Sequence, residues 1–250
     1  MLNIDLNCDL GEGCIHDAEI MPFISSANIS CGYHAGDERT IAETILLALK
    51  NDVAVGAHPS FLDMNNFGRK EYLLNEKDYY QLVKDQLVFF KKVSLRCGAT
   101  IRHVKPHGAL YNMSARDSLV ASAIARAVCD VDDKLILYGL SGSCSVREAE
   151  KHKLRSVAEV FADRTYYSDG SLVERNKPNA VIASTTVAID QTLEMILNQR
   201  VKSIDGIHIP IIAESICIHG DGARAVEFAQ EIRMVLEKHH ITIKPPIQTL

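Results

Sequence analysis

The chain has 250 residues, 47% hydrophobic and 24% charged, and its 27 basic and 32 acidic side chains leave a net charge of −5. That length and apolar content can bury a full core, which excludes an intrinsically disordered chain. A mildly acidic surface gains no counterion-release energy on a phosphate backbone, so nucleic acid is not an expected partner. In chain order, residues 2–6 read as a strand, 17–23 as a short helix and 27–30 as a second strand. Residues 37–49 read as a helix, capped by Asp37, with Ile41, Ile45, Leu46 and Leu49 on one face. Strand and helix then alternate: strand 53–57, helix 76–97, strand 101–104, helix 117–129, strand 135–139, helix 145–152 and strand 156–161. A helix at 188–199, strands at 201–204 and 215–218, a helix at 223–238 and a last strand at 241–243 complete the pattern. About eight such units in this length fit a closed (β/α) barrel better than an open doubly wound sheet. No linker or low-complexity segment interrupts residues 1–250, so a single domain is expected.

The seven cysteines are an odd number without C-x-x-C spacing, and several sit in apolar runs. They read as reduced thiols, and no internal disulfide is expected. There is no basic leader followed by an apolar stretch, and no run of about 18 apolar residues. The expectation is a cytoplasmic protein with no membrane span.

Polar residues collect at the strand ends. The first strand runs into Asn7-Cys8-Asp9-Leu10-Gly11-Glu12-Gly13 and the second into Cys31-Gly32-Tyr33-His34-Ala35-Gly36-Asp37. Later strands end in Gly56-Ala57-His58-Pro59, Lys105-Pro106-His107-Gly108, Phe161-Ala162-Asp163-Arg164 and His219-Gly220-Asp221-Gly222. In a parallel barrel these ends share one face, where barrel enzymes keep their active sites. Each residue also has a plainer reading. Asp5 and Asp9 could serve turns, His34 and His58 could be structural, and Lys105 could be a surface excursion from an apolar strand. A buried ammonium there would need a partner. His152, His239 and His240 read as solvated helix ends, and Glu148 with Glu150 as a polar helix face. Pro106 rules out a zincin-like helix between His103 and His107. No G-x-x-x-x-G-K-[ST] loop is present, Gly11-Glu12-Gly13 lacks the third glycine of a dinucleotide fingerprint, and Gly139-Leu140-Ser141-Gly142-Ser143 misses the nucleophile elbow at its last residue.

Taken in order, these blocks resemble the LamB/YcsF family. The segments that carry the resemblance are those at 5–13, 26–37, 56–60, 104–112, 160–164 and 217–221. Proline is expected at Leu62 and near Ala223, and glycine at Asn179; these departures bear on loop shape. The resemblance implies an irregular (β/α) barrel similar to the glycoside hydrolase/deacetylase barrels. It also implies the activity of a 5-oxoprolinase A subunit: opening of the 5-oxoproline lactam to glutamate, with ATP as co-substrate and partner subunits B and C. The candidate catalytic residues are then Asp9, Glu12, Lys105 and His107. The candidate substrate contacts are Asn7, Arg164, His219 and Asp221, with Lys105 and Arg164 suited to phosphate or a substrate carboxylate. Two other readings stay open. One is a deacetylase-like amidohydrolase working without ATP, with a divalent metal on Asp9, His34 and His58. The other is a noncatalytic lactam-binding subunit.

Overall fold

The computed structural model describes residues 2–218 and 224–247. Strand β1 (Leu2–Leu10) leads through α1 (Asp17–Ile20) to β2 (Ser26–Ser30), α2 (Glu38–Lys50) and β3 (Ala54–His58). A long loop then precedes α3 (Glu76–Arg96), β4 (Ile101–Val104), α4 (Gly108–Arg116), α5 (Ser118–Val131) and β5 (Ile136–Leu140). Next come α6 (Cys144–Lys151), β6 (Ser156–Phe161), α7 (Thr185–Asn198), β7 (Arg200–Lys202) and β8 (His208–Pro210). The chain continues with β9 (Ser215–Ile218), α8 (Ala225–Lys238) and β10 (Ile241–Ile243). Asp37 caps α2 as expected, its carboxylate accepting from the Thr40 N–H at 2.8 Å.

The barrel closes with seven strands. β1, β2, β3, β4, β5, β6 and β9 follow one another around the ring, and β9 pairs back onto β1. Every pairing in the ring is parallel. The expected strand at 201–204 is not a barrel stave. β7 and β8 form a separate antiparallel ribbon, because Asp205-Gly206 turns the chain straight back on itself. The last strand, β10, lies outside the ring against the first three residues of β1, whose second half carries β9. β1 therefore needs nine residues. Helix α4 was not anticipated, since it starts directly behind the strand-end motif. Glu148, expected on a polar face, is buried and pairs with Lys151 at 2.6 Å. Asn179, where glycine was expected, takes φ 60°, a conformation Asn tolerates better than most residues.

Successive strand residues point to opposite faces. Along β1, Leu6, Cys8 and Leu10 belong to the apolar layer under the helices. Asp5, Asn7 and Asp9 point into the barrel, as their bonds to other staves show. The ring is thus filled with polar side chains. Asp5 and Asp9 stand on the strand itself and serve no turn. Burying such groups is tolerable only when each is hydrogen-bonded. Asp5 meets that condition with bonds from Ser25 and Ser26, both at 2.7 Å, from Tyr138 at 2.8 Å and from Ser215. Burial still pushes its carboxyl above the usual range.

Candidate active site

Above this lattice the strand ends carry a chain of charges. Lys105 follows β4, and its ammonium is fully enclosed. It lies 2.9 Å from Asp9 Oδ1, 2.8 Å from Glu159 Oε1, 3.2 Å from Asn7 Oδ1 and 3.1 Å from Cys217 Sγ. Burial alone would favour the neutral amine. The two carboxylates outweigh it and hold the pKa well above the ordinary lysine value. Lys105 is therefore a permanent cation whose donors already have acceptors. Asp9 Oδ1 also accepts from Asn28 at 2.9 Å, which leaves Oδ2 turned to His58 Nε2 at 3.3 Å.

Glu12, one turn beyond β1, is surrounded by three histidines. Its Oε1 lies 2.8 Å from His34 Nε2, 3.2 Å from His107 Nδ1 and 3.6 Å from His58 Nε2. Burial would raise the Glu12 pKa; hydrogen bonds from His107 and His34 override it and hold the carboxylate well below its usual range. His34 is pushed down to about 4, chiefly by burial, and stacks on His107 with ring centroids 3.8 Å apart. His107 is likewise lowered by burial. In His58 burial works downward, but Asp9 and Glu12 win and the pKa rises.

The backbone fixes the tautomers. His58 Nδ1 lies 2.6 Å from the Lys105 carbonyl oxygen and His107 Nε2 lies 2.9 Å from that of Phe67. A carbonyl only accepts, so both ring nitrogens must donate. In the neutral rings, His58 Nε2 and His107 Nδ1 then present lone pairs to each other across 2.9 Å, beside the Glu12 carboxylate. Such convergence is stable only around a proton or a cation. The ligand atoms of Glu12, His34, His58 and His107 lie within 4.8 Å of one another. Carbonyls holding the far side of histidine ligands are the usual support of a metal centre. The donor set therefore fits a divalent cation, with Glu12 as its carboxylate. Asp9, expected in that role, stands beside it and is committed on one oxygen to Lys105. Glycine makes this possible at Gly68, where φ is 62° and a Cβ would lie 3.0 Å from both His107 and His34.

These residues open onto a cavity of about 890 Å³ lined by Asp9, Glu12, His58, Lys105, His107 and Arg164 among others. His34 lies behind His107. Asn7 is fully enclosed beneath Lys105, bonded to Glu159, Ser215 and Asn28, so the place expected for a substrate contact holds a structural amide. Arg164 is buried and donates to the carbonyls of Ala180 and Val173; burial lowers its pKa to about 10. His219 and Asp221 lie outside the described residues. Sequence reasoning missed Glu159, Asn28 and His103. Glu159 carried the same signal as Lys105, a lone charge inside an apolar strand. His103 crosses the barrel to Asn28 at 2.8 Å, over Gly56, where any Cβ would strike its ring.

Fold and site together define a parallel (β/α) barrel with a carboxylate–histidine centre at its carboxyl mouth. At the level of the fold, a family 4 carbohydrate esterase from Streptomyces lividans is similar, with a TM-score of 0.52 at 10% identity, covering 96% of this chain and 91% of that one. A model of the LamB/YcsF family matches residues 4–250, and the chain belongs to that family. It is 47% identical over 246 residues to the A subunit of 5-oxoprolinase from Shouchella clausii (strain KSM-K16), covering 96% of this chain and 97% of the relative. The crystal structure of a lactam utilization protein from Thermus thermophilus superposes with a TM-score of 0.91 at 38% identity, covering 97% of this chain and 99% of that one.

Proposed function

We propose that this chain opens the lactam ring of 5-oxoproline to glutamate, as the A subunit of an ATP-dependent 5-oxoprolinase acting with subunits B and C. The observation that carries the reading is the pairing of two carboxylates, Asp9 and Glu12, with His58 and His107 at the floor of one cavity, with His34 behind them. The relatives' names supply the substrate class. A lactam amide is nearly unstrained, so phosphorylation of its oxygen by ATP would activate the ring carbon towards water. Water would then add to that carbon and lose a proton, the C–N bond would break as the ring nitrogen takes up a proton, and the resulting acyl phosphate would release phosphate to a second water, leaving glutamate. Asp9, whose Oδ2 lies 3.3 Å from His58 Nε2 while Oδ1 meets Lys105, would take the proton of the first water. Lys105 holds Asp9 in position and lowers the cost of the negative charge that develops beside it. Arg164, with donors left over from its two carbonyl bonds, offers a fork for an anionic group in the cavity. A divalent cation on Glu12, His34, His58 and His107 would act as a Lewis acid.

The decisive experiment reconstitutes the chain with subunits B and C and follows glutamate formation from 5-oxoproline. Full activity is expected only with ATP and partners, and the chain alone is expected to turn over little. A second reading, an amidohydrolase working without ATP, draws on the four-ligand cluster. ATP-independent, metal-dependent lactam opening by the chain alone would establish that reading and overturn the first.

A further inference from the structure

The cavity is larger than its proposed substrate. About 890 Å³ lies near the upper end of the range for small-molecule sites, far beyond a five-membered lactam with one carboxylate. Its wall carries an excess of guanidinium groups. Among the acidic wall residues away from the floor, Glu71 pairs with Arg116 at 2.6 Å and Glu174 with Lys177 at 3.2 Å. Asp169 is occupied by the Ser171 N–H and hydroxyl. Arg147, Arg164 and Arg175 line the same cavity, and among the described residues none has a carboxylate within ion-pair distance.

Arg164 is the informative member. It is only 5% exposed, and its hydrogen bonds go to two main-chain carbonyls, which use two of five N–H donors. After burial, the largest influence on it is the like charge of Arg175. A buried cation crowded by a second cation, with donors to spare, is costly unless an anion completes it. The turn Ser141-Gly142-Ser143 adds a further feature to the lining of the same cavity. Ser143 begins α6 without giving its side chain to the helix, and its buried hydroxyl has no partner. The first N–H groups of α6 thus lack a side-chain cap, an arrangement suited to an oxyanion.

We propose that Arg147, Arg164, Arg175 and the start of α6 form a binding site for a phosphate-bearing ligand, adjoining the carboxylate–histidine floor. It deepens the lactam reading, since a phosphate chain held there would bring a phosphoryl donor into the same cavity. The binding itself depends only on this chain's own residues. One lactam carboxylate calls for a single guanidinium, so three without carboxylate partners match a polyanion.

The test is calorimetric titration of the purified full chain with inorganic tripolyphosphate, ATP and glutarate. Tripolyphosphate is expected to bind at one site. Arg147→Gln and Arg175→Gln, both exposed and without carboxylate partners, should each weaken it by about tenfold or more, as expected for a charge-assisted contact. Arg39→Gln, on the surface of α2 and paired with Glu43, should leave it unchanged. Tighter binding of ATP would identify a nucleotide as the source of the phosphates, and equal binding would identify a free polyphosphate. Absence of tripolyphosphate binding, unchanged binding in an Arg147→Gln/Arg175→Gln double variant, or equally tight glutarate would overturn the proposal. If the double variant keeps ATP-dependent lactam opening in the reconstituted complex, this site fails while the lactam reading stands. If phosphate binds as expected and no lactam opens, the lactam reading fails alone.

Discussion

Replacing Lys105 with Met removes the ammonium shared by Asp9 and Glu159. Glu159 is fully enclosed, and Asp9 Oδ1 would keep its bond from Asn28 but lose its cation. Met fills most of the stem's volume, so the loss is electrostatic. Removing one partner from a buried ion pair costs about 3–5 kcal/mol, because the remaining charge is left uncompensated. Total stability of a domain is about 5–15 kcal/mol. A chain of this size loses about 2–4 °C per kcal/mol, so the unfolding midpoint should fall by about 6–20 °C. Adding Glu159→Gln removes one orphaned charge and should recover roughly half of that loss. Thermal unfolding followed by circular dichroism, with urea unfolding for the free energies, measures both effects. If Lys105→Met unfolds within about 1 kcal/mol of wild type, or Glu159→Gln makes it less stable, the shared-cation account is wrong.

Asp9→Asn should keep the fold, since Lys105 retains Glu159, Asn7 and Cys217, but should cut lactam opening by about 10²–10⁴-fold in the reconstituted complex; near-normal activity would remove Asp9 from the chemistry. Dialysis against zinc or cobalt followed by elemental analysis should find about one ion per chain, and His58→Ala or Glu12→Gln should lower that content sharply. His103 is buried neutral, its pKa lowered to about 3 by burial first and then by Lys105. Its unfolded counterpart takes up a proton near pH 6.5. A depressed folded pKa means stability fully present above pH 6.5 and lost progressively as pH falls towards 3, by up to about 1.4 kcal/mol per unit. His103→Gln should flatten that slope in acid-unfolding curves. A thiol assay in denaturant without reductant should count all seven cysteines, since none is in a disulfide.

Much of the architecture was legible because strand and helix periods leave local traces. The alternating runs, the Asp37 cap and the placement of Asp9, His34, His58, Lys105 and His107 at strand ends all follow from short-range pattern. The limits of that reading have equally local causes. A short apolar run marks a strand but cannot say whether it joins the ring, pairs as a hairpin or lies outside, so the strands at 201–204 and 241–243 were legible while their places were not. No helix among the described residues is long and apolar enough to cross a membrane, in keeping with the composition.

Side-chain partnership is a different matter. Asp5, Asn7 and Asp9 alternate with apolar residues in β1, and the sequence alone makes that an ordinary half-exposed strand. Closure of the ring turns the polar face inward, where hydrogen bonds link residues up to 210 positions apart, as between Ser215 and Asp5. The sequence determined which chemical groups stand at the mouth, because strand ends and glycine turns are encoded within a few residues. Only the tertiary structure decided that Glu12 rather than Asp9 closes the histidine cluster, that Lys105 is saturated by Asp9 and Glu159, and that three arginines line one cavity. Those outcomes depend on distances between strands that meet only when the barrel closes, and on burial, which converts weak surface charges into groups that must find a partner.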